Sequence, residues 1–221
     1  DLGDHADGFF VWDGAGVSYP KYRVYVWGCR AWNMADNGFD LQGEFYIEAK
    51  NCWSFNNGHV PGFEYGRGSG FNYGYAEGQQ EYVTRKISNC VAAFNNSAGF
   101  VTMDWYSQLR PHEVYNCISY HNGYPSDADG IGISIFNTSV SDYYELQRVY
   151  RNNIAYDNED YDVLLASGAM YTHSNNSWDI TSLTITDADF VSLDSTGITA
   201  PRQTDGSFPD NDCYNKFLHL A

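Results

Sequence analysis

One short unit recurs along the chain and limits its fold more than any other feature. It reads "GCRAWNMADN" (28–37), "NCWSFNNG" (51–58), "NCVAAFNN" (89–96) and "NCISYHNG" (116–123). A fifth copy, "NNIAYDNED" (152–160), carries Asn153 where the others have cysteine, and "NNSWDI" (175–180) is a worn sixth. Each unit has Asn or Gly, then Cys or Asn, a variable residue, a small residue, an aromatic and one or two Asn. From Cys29 to Asn153 the spacings are 23, 38, 27 and 36 residues, coil-sized but irregular. Such spacing belongs to a solenoid whose strands stay in register while its loops vary. Inward small residues alternating with outward polar ones suit a short strand. Asparagine tolerates the left-handed conformation needed to turn the chain afterwards. The expected fold is therefore all-β: a right-handed parallel β-helix with irregular loops and a loop-rich C-terminal tail.

Stacking would place Cys52, Cys90, Cys117 and Asn153 at equivalent inward positions. The five cysteines, with Cys29 and Cys213, form no CxxC pair, which argues against a zinc ribbon. In-line disulfides are conceivable, and buried free thiols are the simpler expectation. Residues 1–190 read as β-helix coils and 191–221 as a tail packed on them. No N-terminal cap is visible, so further coils are expected before Asp1.

Composition narrows the function. Twelve bases stand against 28 acids, a net charge of −16, which excludes a surface built for nucleic acid. No apolar run approaches the ~20 residues that span a bilayer, so no membrane insertion is expected. Phosphate-binding loops, His-Glu-x-x-His and Gly-x-Ser-x-Gly are all absent. Most of the acidity reads as solubility. The exception is "NMADNGFDLQG" (33–43), where Asp36 and Asp40 flank Asn37 and a glycine, preceded one segment earlier by "HADGFF" (5–10).

The ordered set "HADGFF", "GCRAWNMADNGFDLQG", "NCWSFNNG", "GSGFNYGY" and "NCVAAFNN" resembles the pectate lyase family 9 polysaccharide lyases. The tail "APRQTDGSFPD…FLHLA" is similar to the C-terminal stretch of the same proteins. The resemblance implies a Ca2+ ion held by Asp7, Asp36, Asn37 and Asp40. Calcium takes six to eight oxygens, and an amide carbonyl can stand in for a carboxylate. Asn37 replaces a family acid, which lowers the negative charge of the set and implies weaker binding.

The family's base is a lysine in a Gly-Phe-Lys-Leu-Gly-Gly motif that removes the proton at C5 of a uronate. The matching residue here is Asn72, and an amide has no useful basicity. Arg67 is a candidate for charge stabilisation. Tyr73, Tyr75 and His59 are candidates for proton transfer or sugar stacking, each with an ordinary packing or loop role as the plainer alternative. Asp127 and Asp129 in "YPSDADGIGIS" (124–134) could hold a second calcium or simply form a turn. The six tryptophans, Trp12, Trp27, Trp32, Trp53, Trp105 and Trp178, could stack on sugars or fill the core.

The sequence therefore implies a secreted or cell-surface, calcium-dependent lyase acting by β-elimination on an acidic polysaccharide. The rival is a non-catalytic glycan-binding, adhesive or fibre-forming β-helix, for which self-association stays open. A glycoside hydrolase is a weaker third reading, because no distinctive carboxylate pair lies outside the calcium set.

Overall fold

The computed structural model describes residues 6–12, 23–43, 46–61, 67–73, 85–102, 111–124, 130–135, 148–165 and 171–221. It divides into two compact units, Asp1–Ile180 and Thr181–Ala221.

The first unit is a stack of three-stranded coils. Coil one contains β1 (Phe9–Val11), β2 (Arg23–Trp27) and β3 (Arg30–Trp32), and coil two β4 (Phe39–Leu41), β5 (Tyr46–Lys50) and β6 (Trp53–Phe55). Coil three contains β7 (Phe71–Asn72), β8 (Arg85–Ser88) and β9 (Val91–Ala93), and coil four β10 (Phe100–Val101), β11 (His112–Tyr115) and β12 (Ile118–Tyr120). Coil five contains β13 (Ile131–Ile135), β14 (Arg148–Arg151) and β15 (Ile154–Tyr156), followed by β16 (Tyr161–Leu165) and β17 (Thr172–Ser174) of a sixth. Strands three apart in sequence pair, giving three parallel sheets: β1-β4-β7-β10-β13-β16, β2-β5-β8-β11-β14-β17 and β3-β6-β9-β12-β15. We call these the first, second and third sheets. The β-helix expected from the sequence is the observed fold.

The corners explain the repeating unit. Between second and third sheets the turn residue has positive φ in every coil: Gly28, Asn51, Asn89, Asn116, Asn152 and Asn175. Asparagine accepts this backbone and also bonds upward, with Asn89, Asn116 and Asn152 each donating Nδ2–H to the asparagine of the coil before, at 3.0–3.2 Å. The next residue points inward. Cys52, Cys90 and Cys117 lie one above another with free thiols, and Asn153 and Asn176 continue the column by amide hydrogen bonds of 2.9 Å. Burial pushes the Cys90 thiol well above its ordinary pKa, so it is inert packing.

A second interior amide column fills the corner between third and first sheets. Asn57, Asn95, Asn122 and Asn158 are bonded Nδ2–H to Oδ1 at 2.8–2.9 Å, and each Oδ1 of the last three also accepts a backbone N–H. Every polar group there is paired, which is what makes a buried polar column tolerable. Immediately after this corner, Phe9, Phe39, Phe71 and Phe100 stack with centroids 4.7–5.0 Å apart and nearly parallel planes. Each such ring pair adds roughly 0.5–1.5 kcal/mol beyond burial. The phenylalanines fix the register of the first sheet, so the residue after each of them faces outward.

In the second unit, α1 (Asp212–Lys216) starts from Asn211, whose side chain accepts the Tyr214 N–H, and buries Cys213 and Tyr214. Bridges Phe190–Leu220 and Ser192–Phe217 close it. No described helix is long and apolar enough to cross a membrane.

Candidate metal and glycan site

The first three strands of the first sheet bring together the residues singled out in the sequence. Asp40 follows the stacked Phe39 and precedes the inward Leu41, so it points outward; Asn72 does the same after Phe71. Asp40 pairs in register with Phe10 on one side and Asn72 on the other. Asp36 and Asn37 sit in the corner before β4, directly against the segment carrying Asp7. Backbone bonds from Asp36 N–H to Ala6 O and from Gly8 N–H to Asn37 O tie the two turns together at 3.3 and 3.0 Å.

The side chains are held closely. Asp7 Oδ1 accepts both the backbone N–H and the Nδ2–H of Asn37, at 3.0 and 3.1 Å. Asn37 Oδ1 accepts the Ser69 N–H, and Asp36 Oδ1 the Arg67 N–H. Asp40 receives Gln42 Nε2–H at both oxygens, 2.7 and 2.6 Å. Gln42 was not foreseen, although "FDLQ" contains the signal: residues two apart on a strand share a face.

Asp36, Asn37 and Asp40 are each at most 5 % exposed. Burial, followed by the negative charge of Asp7, pushes Asp40 up to about 8, with Asp36 adding to the shift; Gln42 and Arg85 oppose it. Asp7 and Asp36 thus stand close enough to disfavour the ionisation of Asp40. Among the described residues no three His, Cys, Asp or Glu side chains form a ready-made metal cluster. Oxygens of three carboxyl groups and one amide lie on these adjoining turns, and the repulsion felt by Asp40 is what a bound cation would relieve. In donor chemistry this set fits a hard, oxygen-preferring ion such as calcium. With the amide turned as it is, Asn37 offers its NH2 to Asp7 and its carbonyl to Ser69.

Asn72 is 1 % exposed, and its Oδ1 is buried without a hydrogen-bond partner among the described residues. The Arg67 side chain is exposed beside the Asp36 turn. Tyr73 lies in the interior, its hydroxyl 3.2 Å from that of Tyr150, which in turn is 2.7 Å from His112 Nε2. His59 is half-buried, with Nε2 3.1 Å from Phe94 O. Tyr75, Trp105, Asp127 and Asp129 lie outside the described residues. Of the remaining tryptophans, Trp53 is buried, while Trp12 and Trp27 are more than half exposed.

The chain is 32% identical over 195 residues to pectate lyase L of Dickeya dadantii, covering 85% of this chain and 40% of that protein. It is 32% identical over 191 residues to pectate lyase L of Dickeya chrysanthemi, covering 83% and 39%. The chain thus spans about 40% of the length of these curated relatives. The crystal structure of pectate lyase Pel9A superposes with a TM-score of 0.68 at 27% identity, over 100% of this chain and 48% of that one. A rhamnogalacturonan lyase shares the fold with a TM-score of 0.56 at 23% identity, over 88% of this chain and 46% of the other. The family model described as "Pel9A-like, right handed beta helix region" matches residues 1–128, more than half of the sequence, and the chain belongs to that family.

Proposed function

We propose that this polysaccharide lyase-like β-helix is a secreted protein that binds a uronate-containing glycan on the outer face of its first sheet, with calcium held by Asp7, Asp36, Asn37 and Asp40. We propose further that it lacks the base needed to cleave that glycan efficiently. The observation that carries this reading is Asn72, a buried outward-facing amide in register beside Asp40. In the lyases the chain resembles, this position holds the lysine that takes the C5 proton.

The chemistry follows from the side chains. Calcium, when bound, supplies positive charge that neutralises the uronate carboxylate and acidifies the adjacent carbon. Asp7, Asp36 and Asp40 supply the anionic oxygens that hold it, and Gln42 holds Asp40 in orientation. Arg67 is exposed beside the Asp36 turn, and a guanidinium suits a substrate carboxylate. Asn72 is buried, with its Oδ1 shut off from solvent. It cannot accept a proton from carbon.

The test uses polygalacturonate with and without calcium. The native chain is expected to bind in calcium while releasing no unsaturated, ultraviolet-absorbing product. Asn72→Lys is expected to release a trace of it, limited because an unsuitable pocket leaves the lysine protonated. Rapid elimination by the unaltered chain would overturn the proposal.

A further inference from the structure

The outer face of the second sheet has no part in the site above, yet it differs from the rest of the surface. On β2 the outward residues are Arg23, Tyr25 and Trp27, and the two rings are 48 % and 58 % exposed with centroids 5.1 Å apart. Tyr46 of the next coil stands 6.3 Å from Tyr25 and lies under the Arg23 guanidinium at 5.5 Å. Its hydroxyl donates to Glu48 at 3.0 Å, which leaves the ring fixed. Higher in the stack, Lys86 lies 6.0 Å from the Tyr115 ring centroid and 4.0 Å from Glu113. The register aligns Trp27, Lys50, Ser88, Tyr115 and Arg151 in one column along the stack.

Two properties of this face point to one ligand chemistry. Its described outward residues include four bases, Arg23, Lys50, Lys86 and Arg151, against two acids, Glu48 and Glu113. The chain as a whole has 12 bases against 28 acids, so this strip reverses the sign of the molecule. Rings and cations stand side by side on this face, and an aromatic face suits the C–H face of a pyranose while an ammonium or guanidinium suits its carboxylate. Successive coils rise by about 4.8 Å, comparable with the length of one sugar ring, so a chain laid along the column meets a new coil at each residue.

We infer that the outer face of the second sheet is a docking strip for an acidic polysaccharide, centred on Tyr25, Trp27, Tyr46 and Lys50 and extending to Arg151. It is separate from the carboxylate set on the first sheet and requires no metal. It shares with the proposed function only the class of ligand. A strip of this kind would hold the polymer on the protein while a different stretch of it occupies the first sheet.

The test is electrophoresis of the whole chain through gels containing polygalacturonate and a chelator, so that calcium-dependent binding is absent. Parallel gels contain fully methyl-esterified galacturonan or dextran. Native protein is expected to be retarded by polygalacturonate in chelator, less by the ester, and not by dextran, with retardation falling as salt rises. Tyr25→Ala with Trp27→Ala, and separately Lys50→Glu with Arg151→Glu, should each weaken binding at least about tenfold. The two pairs lie on an exposed face, and if one fails to fold, the other carries the test. Retardation seen only after calcium is restored would overturn the strip and leave the first-sheet proposal standing. Undiminished retardation in both folded double variants, or equal retardation by dextran, would also overturn it.

Discussion

Asp40 is an acid in a place that resists its ionisation. Its pKa is pushed up to about 8, from an ordinary 3.8, first by burial and then by Asp7. A raised carboxyl pKa means that the folded state binds a proton that the unfolded chain releases. Its contribution to stability is complete below about pH 4 and is lost as the pH rises through about 8. Metal-free protein should therefore lose denaturant resistance over this interval. Asp40→Asn, which cannot ionise, should flatten that part of the profile. A bound cation favours the ionised form, so calcium should also flatten it and should bind more tightly as the pH rises. Chemical denaturation of the native chain and the variant across this range, in chelator and in calcium, measures all three. An unchanged slope in Asp40→Asn would place the titration on another group.

At the scale of strands and corners, two glycines make opposite predictions. Gly99 precedes the stacked Phe100, and an added Cβ would lie 2.1 Å from Ser119 Oγ and 2.8 Å from Gly132 O. Ser119 belongs to the same coil and Gly132 to the next, and the two are held together by a hydrogen bond from Ser119 Oγ to Gly132 O at 2.9 Å. Gly99→Ala should therefore cost about 1–3 kcal/mol. Gly28, at φ +61°, has nothing within 4 Å of its added Cβ and occupies the corner that asparagine fills in every later coil. Gly28→Asn should be neutral or stabilising, by extending the outer amide column. Thermal melts of the two variants decide the matter. These corners also explain what could be read in advance. The Asn-Cys units were legible because each encodes a left-handed residue followed by an inward one, a demand made by the backbone itself. The first sheet carries an equally regular signal, Gly-Phe at 8–9, 38–39, 70–71 and 99–100, less conspicuous because it falls outside the Asn-Cys units. It is that period which sets Asp40 beside Asn72. The inward placement of Tyr73 follows from the same alternation. The strip on the second sheet was not legible, because Tyr25, Tyr46 and Lys50 become neighbours only once register is known.

At the scale of the molecule, the carboxylate set lies in the first two coils of the described stack, in which each strand pairs only with strands of the adjacent coils. Asp7 belongs to coil one, Asp36 and Asn37 to the corner entering coil two, and Asp40 to β4, with Asn72 one coil further on. In such a solenoid, stability is close to a sum of coil and interface contributions, and local opening need not involve the whole stack. An ion that binds only the folded site stabilises by an amount set by its concentration relative to Kd, roughly 2.7 kcal/mol at a hundredfold excess. That stabilisation should appear where the ligands are. Amide hydrogen exchange should slow on calcium addition across the strands Phe9–Val11, Phe39–Leu41 and Phe71–Asn72, and much less across Tyr161–Leu165 and Thr172–Ser174. A competing effect has to be separated, because a chain of charge −16 repels itself and any salt relieves part of that. Sodium chloride at matched ionic strength should slow exchange evenly along the stack, whereas calcium should act at one end. Asp36→Ala should abolish the local part and leave the even part intact. If calcium protected both ends equally, or if Asp36→Ala kept the local protection, the ion would bind elsewhere or merely screen the charge.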